Sequence, residues 1–332
     1  MRATTVIATH ERWSSLLRLL GSLDSRDREV IVVDDGSKQP PPLELRRRFP
    51  RVRLLSNPHG GRCVARNSGA RAAQGELVLF LDDDMEVGPG FIEGHEAYHA
   101  AADRMITGAV RLPGAFAETP FGRFRLWLEG MYEPAGRRTA DGLCEIDGTT
   151  AQNMSLRRET FLRLGGFDER LRSAGCEDYD LFLRARNNGT RPAYAPDLRA
   201  IHHDSFADLR RYAARERTHA GGWVELIATR PAVLAESPRF VDFCRRCEPA
   251  LAARSSLARA AWVAGWSLAA RAGARDSLCT LAERLERLGA PDALLRKVYF
   301  RVLVLEELVG YREAVDRLLG GRPPVVLSTR AA

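Results

Sequence analysis

At 332 residues and 45% hydrophobic content, the chain can bury one large core and a smaller second one, so two regions are expected. No stretch reaches the roughly 18 uninterrupted apolar residues of a membrane span; the best candidate, 250–270, is broken by Arg254 and Arg259. The formal charge of +7 comes almost wholly from arginine, Lys38 and Lys297 being the only lysines, and no long basic run marks a nucleic-acid groove.

Strand-like sequence begins at once, with no signal-peptide core, so a soluble, cytoplasmic protein is expected. Thr4-Thr5-Val6-Ile7-Ala8-Thr9 is a short β-rich run. Leu16, Leu17, Leu19, Leu20 and Leu23 then recur at helical spacing, so the chain opens strand, loop, helix. The loop, His10-Glu11-Arg12, has no glycine. That argues against a dinucleotide oxidoreductase, and against a nucleotidyltransferase with a glycine-rich phosphate loop, because both need close backbone approach to phosphate.

Glu29 to Val33 is a second strand and ends in Asp34-Asp35-Gly36-Ser37. Acids at that edge of an α/β sheet face a ligand or close an Asx turn. Val52 to Leu55 is a third strand, Asn57 to Gly61 a turn, and Arg62 to Ala73 a helix with Arg66 and Asn67 on its first turns. Gly75 to Asp84 follows, apolar on both faces and driven into three carboxylates, Asp82, Asp83 and Asp84. Either a divalent cation with oxygen ligands relieves their repulsion, or they cap the helix that starts near Pro89. Four strands with intervening helices define an α/β class with a mostly parallel sheet and flanking helices.

Pro89 to Ala101 reads as a helix and Met105 to Val110 as a strand. From Phe116 to Asp141 regularity fades, and Phe121, Phe124, Leu126, Trp127, Leu128, Met131 and Tyr132 read as core or as an acceptor wall. Gly148 to Arg158 leads through a short helix to the turn Gly165-Gly166-Phe167-Asp168-Glu169. Glu177 and Asp178 open a further helix, as capping charges or as a general base with an orienting neighbour. His202 and His203, after a strand and in a chain with an acidic triplet, are candidate metal ligands.

Beyond Phe206 a C-terminal helical region is expected, with helices at 257–270, 277–288 and 292–308 and turns at Gly289-Ala290-Pro291 and Gly310. Trp262 and Trp266 lie four apart with arginines beside them, a packing face or an interfacial membrane contact. Cys244-Arg245-Arg246-Cys247 has metal-like spacing but no second pair to complete a zinc site. Oligomeric state is not legible.

Together these landmarks resemble the inverting glycosyltransferases of family 2, which have the Rossmann-like nucleotide-sugar-binding fold called GT-A. The resemblance runs from about Thr4 to His219. It rests on Val32-Val33-Asp34-Asp35-Gly36-Ser37, on Asn57 through Ala65-Arg66-Asn67-Ser68-Gly69-Ala70, and on Leu81 to Asp84. It rests also on Asn153 through Leu156-Arg157-Arg158 to Gly165-Gly166-Phe167-Asp168-Glu169, and on Glu177-Asp178-Tyr179-Asp180-Leu181.

The resemblance implies a GT-A domain over 1–205, with a nucleotide-sugar half over about 1–112 and an acceptor half over about 113–205, and a helical extension over 206–332. It implies metal-dependent transfer of a sugar from a nucleotide-diphosphate sugar, UDP most of all, with Mn²⁺ or Mg²⁺ as cofactor. The acceptor would be a hydroxyl of a glycan, lipid-linked glycan or small natural product. Thr9, Glu11 and Asp34 or Asp35 would hold the uracil and ribose with Arg66 nearby, and Asp82 and Asp83 would face the ribose and sugar. Asp84 with Asp82 would bind the metal, joined by His202 or His203, and Asp178 would be the base with Glu177 beside it. Two departures stand out: the first loop reads Thr9-His10-Glu11-Arg12 where the family often has Tyr-Asn, and the helical tail has no counterpart.

The chemistry fits the residue types independently. Charge building on a departing diphosphate is neutralised by a divalent cation and Arg, and an acceptor hydroxyl needs a carboxylate to take its proton. One base on the face opposite the leaving group implies single displacement with inversion. Two rivals are a nucleotide-sugar-binding module without catalysis and a sugar nucleotidyltransferase on a related fold, which releases pyrophosphate.

Overall fold

The computed structural model describes residues 1–24, 27–100, 102–132, 134, 138–173, 175–248 and 272–324. The expected helix at 257–270, with Trp262 and Trp266, lies outside the described residues. So do Arg254 and Arg259.

The chain divides into two compact units. The first comprises 1–114, 129–172 and 177–205 and is built on one nine-stranded sheet. Its strands are β1 (Ala3–Thr9), β2 (Glu29–Asp34), β3 (Arg53–Ser56), β4 (Leu77–Asp82), β5 (Met85–Val87), β6 (Arg104–Arg111), β7 (Cys144–Glu145), β8 (Asn153–Arg157) and β9 (Arg191–His202). They lie in the order β3-β2-β1-β4-β8-β6-β9-β5, with β7 also on β9. The fold is the expected α/β class. Val6, Ile7, Ile31, Val32, Leu79 and Phe80 are fully buried, as strands covered on both faces require.

Helices α1 (Trp13–Ser22), α2 (Leu43–Arg48) and α3 (Arg62–Ala72) connect the parallel strands β1 to β4. Helix α3 approaches so closely that a Cβ on Gly69 would stand 2.4 Å from Val6 Cγ1, which explains a glycine in mid-helix. After α4 (Phe91–His99) the pattern changes: β8 runs antiparallel to both β4 and β6, while β6 and β9 pair in parallel. The sheet is therefore mixed, its parallel order interrupted in the middle by β8, which follows a long insert, and ended by β5 and β7, both antiparallel to β9.

A polar network pins that interruption. His95 Nδ1 lies 2.8 Å from Ser155 Oγ and His95 Nε2 3.0 Å from Asn153 Oδ1, while His99 Nε2 lies 2.8 Å from Ser155 Oγ. The Asn153 amide donates to the carbonyls of Ala109 and Leu198, where the β6–β9 register shifts after Gly108. All four side chains are buried, and burial pushes His95 down to about 3 and His99 down to about 4.

The stretch expected to be irregular holds a helix, α5 (Pro120–Tyr132), preceded by a 3₁₀ turn. Its Phe121, Phe124 and Leu128 are core, as their spacing of three and four allows, whereas Trp127 is exposed. The 115–128 part of it belongs to the second unit, with 173–176 and 206–332.

The first unit also holds α6 (Arg158–Arg163) and α7 (Glu177–Asn187), and the second holds α8 (Leu209–Thr229), α9 (Val233–Glu236), α10 (Pro238–Cys247), α11 (Ala272–Arg287) and α12 (Asp292–Leu319). Phe121, Phe124, Tyr212, Val298 and Tyr299 form one apolar cluster there. Gly310 makes no turn: α12 continues through it, and the position takes a glycine because a Cβ there would stand 1.9 Å from Arg217 O on α8. Cys244 and Cys247 are buried thiols on α10, with Cys244 pushed up to about 12 by burial. Among the described residues, no helix is long and apolar enough to cross a membrane.

Candidate active site

Asp82 closes β4, and Asp83 and Asp84 form the turn into β5, at the carboxyl edge of the parallel strands. Each has a different set of partners. Asp82 Oδ1 accepts from Arg66 Nη2 at 2.6 Å. Asp83 Oδ2 accepts from the Thr9 hydroxyl at 2.7 Å, and its Oδ1 lies 3.2 Å from Arg12 Nη1. Asp84 Oδ2 accepts from Arg12 Nη2 at 2.5 Å and lies 3.1 Å from His202 Nε2. Burial pushes Asp83 up to about 7 against the pull of Arg12 and the Thr9 hydroxyl. Burial also opposes the charge on Asp84, but His202 and Arg12 outweigh it and hold the carboxyl down to about 2.

Arg66 carries the site across to α7. Its Nη1 donates to Glu177 Oε1 at 3.0 Å while Nη2 holds Asp82, and the guanidinium lies 5.4 Å from the Phe167 ring centroid. Arg66 is 5% exposed and Glu177 2%, so this is a buried bridge between the triplet and the first turn of α7. Burial lowers the arginine's affinity for its proton, and Asp82 and Glu177 raise it beyond the ordinary value. Asp178, next along, is half-buried; its Oδ2 accepts from Ala151 N at 3.3 Å and its Oδ1 from Tyr179 N at 2.8 Å. Burial and the adjacent Glu177 charge hold the Asp178 carboxyl above the usual range.

The remaining expected ligands are placed differently. Both oxygens of Asp35 accept backbone N–H groups, from Gly60 at 2.9 Å and Gly61 at 2.8 Å, so this carboxylate shapes the loop before α3. Asp34 Oδ1 accepts from Ser37 N at 3.0 Å, so this carboxylate holds the turn through Gly36. The Glu11 carboxylate accepts from Lys38 N. The two histidines separate: His202 faces Asp84, and His203 lies 2.7 Å from Glu86 Oε2. Successive strand residues point to opposite sides, which is why only one can join the triplet.

Asp84 Oδ1 is buried and meets no hydrogen-bond donor among the described residues. With His202 it forms an oxygen and imidazole pair suited to Mn²⁺ or Mg²⁺. Among the described residues, no three His, Cys, Asp or Glu side chains gather to hold a metal by themselves. A cation that takes one or two protein carboxylates and completes its shell with substrate phosphate oxygens fits such a site. Arg12 had no role assigned from sequence. The signal for it was charge balance, since three adjacent acids with one buried arginine leave negative charge uncompensated.

Two family models match the chain, "Glycosyl transferase family 2" over residues 4–162 and "Glycosyltransferase like family 2" over residues 145–214. The chain belongs to the family 2 glycosyltransferases. It is 29% identical over 232 residues to the pre-mycofactocin glycosyltransferase of Mycobacterium tuberculosis, covering 69% of this chain and 48% of that one. It thus spans about half the length of that curated relative. Among solved structures it resembles a mannosyltransferase from Pyrobaculum calidifontis in complex with GDP-Man and Mn²⁺, with TM-score 0.53 and 19% identity over 92% of this chain and 86% of that one. It also resembles GalNAc-T7 with UDP, GalNAc and Mn²⁺, with TM-score 0.50 and 18% identity over 68% of this chain and 51% of that one. These likenesses show the GT-A fold.

Proposed function

We propose that the protein is a metal-dependent glycosyltransferase that moves a sugar from a nucleotide-diphosphate donor, UDP-linked in preference, to an acceptor hydroxyl with inversion. The observation that carries this reading is the buried Arg66 bridge, which joins the acidic triplet to the α7 acids at one site. The donor is assigned to the half over about 1–112 and the acceptor to that over about 113–205, with 206–332 as an extension. The names of the solved relatives, with Mn²⁺ beside UDP in one and GDP-Man in the other, support the metal and the donor class.

Asp84 and His202 would hold Mn²⁺ or Mg²⁺, which supplies positive charge where the diphosphate departs. Thr9 and Arg12 fix Asp83, and Arg66 fixes Asp82, so the carboxylates facing the donor are oriented before it arrives. Asp178 takes the proton of the acceptor hydroxyl. Its elevated proton affinity makes it a better base than an ordinary surface carboxylate. Glu177, neutralised by Arg66, is the positioning residue at the start of α7. The acceptor would be a glycan, a lipid-linked glycan or a small natural product.

The test is a panel of nucleotide sugars with and without Mn²⁺, read first as thermal midpoint and then as product. A UDP-sugar with Mn²⁺ should raise the midpoint, since ligand bound only to the folded state stabilises it. NMR of the product should show an inverted anomeric centre. Retention, or pyrophosphate as the released product, overturns the reading.

A further inference from the structure

We infer that Arg12 is a resident counter-ion of the Asp83–Asp84 pair, and that it transfers its guanidinium to the donor's diphosphate when metal and nucleotide enter. The inference rests on the metal-dependent reading above and assigns this residue a role in it. Arg12 reaches both carboxylates, at 3.2 Å and 2.5 Å. The partners differ sharply in freedom: Asp83 and Asp84 are 5% and 7% exposed, whereas the Arg12 side chain is 45% exposed. The acids are fixed by the fold, and the arginine can leave.

The backbone beneath Arg12 is held in place. Glu11, at φ 57, is the sole non-glycine residue with positive φ among the described residues. Such a conformation persists where its surroundings determine it. Here Glu11 N donates to Ser37 Oγ at 2.8 Å, the Glu11 carboxylate accepts from Lys38 N, and His10 Nδ1 lies 3.0 Å from Asp35 O. The loop therefore aims the side chain at the triplet without burying it.

Asp84 Oδ2 already receives Arg12 and His202, and a divalent cation on the same carboxylate brings like charge beside the guanidinium. Arg12 and the metal thus compete for one carboxylate. A diphosphate removes the competition, because it offers the displaced guanidinium a second anion in the bidentate geometry that arginine favours. Metal and nucleotide are then coupled through Arg12, and the coupling is reciprocal.

Calorimetric titration of Mn²⁺, with and without UDP, into wild type, Arg12→Gln and Arg12→Lys tests this without turnover. Wild type should bind Mn²⁺ weakly alone and about tenfold or more tightly with UDP, within the usual range of coupling between sites. Arg12→Gln should bind Mn²⁺ alone about tenfold more tightly than wild type and gain less from UDP. Arg12→Lys keeps the charge but lacks the fork that reaches both carboxylates, and should fall between wild type and Arg12→Gln. Unchanged or weaker Mn²⁺ binding by Arg12→Gln, with undiminished UDP enhancement, overturns the inference. If wild type binds no Mn²⁺ even with UDP, the metal reading itself falls and this inference falls with it.

Discussion

The guanidinium of Arg66 lies 3.0 Å from the carboxylate of Glu177, with both side chains almost wholly removed from solvent. A buried pair of this kind adds little net stability over an apolar one, but removing one partner leaves uncompensated charge.

Arg66→Met should therefore destabilise the fold by about 3–5 kcal/mol, because Asp82 and Glu177 lose their cation together. Urea unfolding of the two proteins measures it. Arg66→Lys should recover only part of the loss, since one ammonium lacks the fork that reaches both acids.

Asp178→Asn should leave UDP-sugar binding intact while kcat falls about 10²-fold or more, the usual contribution of a general base. Glu177→Gln should be milder. In the wild type, kcat should fall as pH drops through the elevated Asp178 pKa, because protonation removes the base, and should level off above it. A pH-independent kcat would remove Asp178 from the chemistry.

Asp84→Ala and His202→Ala should both weaken Mn²⁺ binding, by about 10-fold or more. His203→Ala should change it little, since His203 faces Glu86. Equal effects from the two histidine variants would contradict the separation seen at the end of β9.

His95 and His99 are neutral in the fold, with pKa values of about 3 and about 4, whereas in the unfolded chain each protonates below about 6.5. The unfolded state thus binds more protons as pH falls. Stability should be full above about pH 6.5 and decline below it by up to about 1.4 kcal/mol per pH unit for each histidine. Denaturant unfolding at pH 7, 6 and 5 checks this, and His95→Gln should show a shallower decline.

Much of the first unit was legible because its strands are apolar on both faces: Val30 to Val33 and Leu77 to Leu81 admit no other reading at that length. The acids at their ends were legible for the same reason, since charge after such a run must lie at the sheet edge. The antiparallel entry of β8 was not, because it depends on Asn153 and Ser155 meeting His95 and His99 more than fifty residues away, and no local pattern encodes that pairing. Helix α5 was obscured by an aromatic cluster that suits core, wall or helix equally. Arg12 was visible as a residue but not as a partner, since its carboxylates lie more than seventy residues on.

The short connection ahead of β8 touches both sides of the site through main chain alone. Gln152 O receives the amide of Asp82, at 3.4 Å, and Ala151 N reaches Asp178. Neither bond depends on which side chain stands at those two positions, apart from proline at 151, which has no N–H to give. Substitution in this connection can therefore alter what its side chains present to an incoming molecule while leaving these two tethers in place. The loop is open to diversification, and the geometry it supports is not.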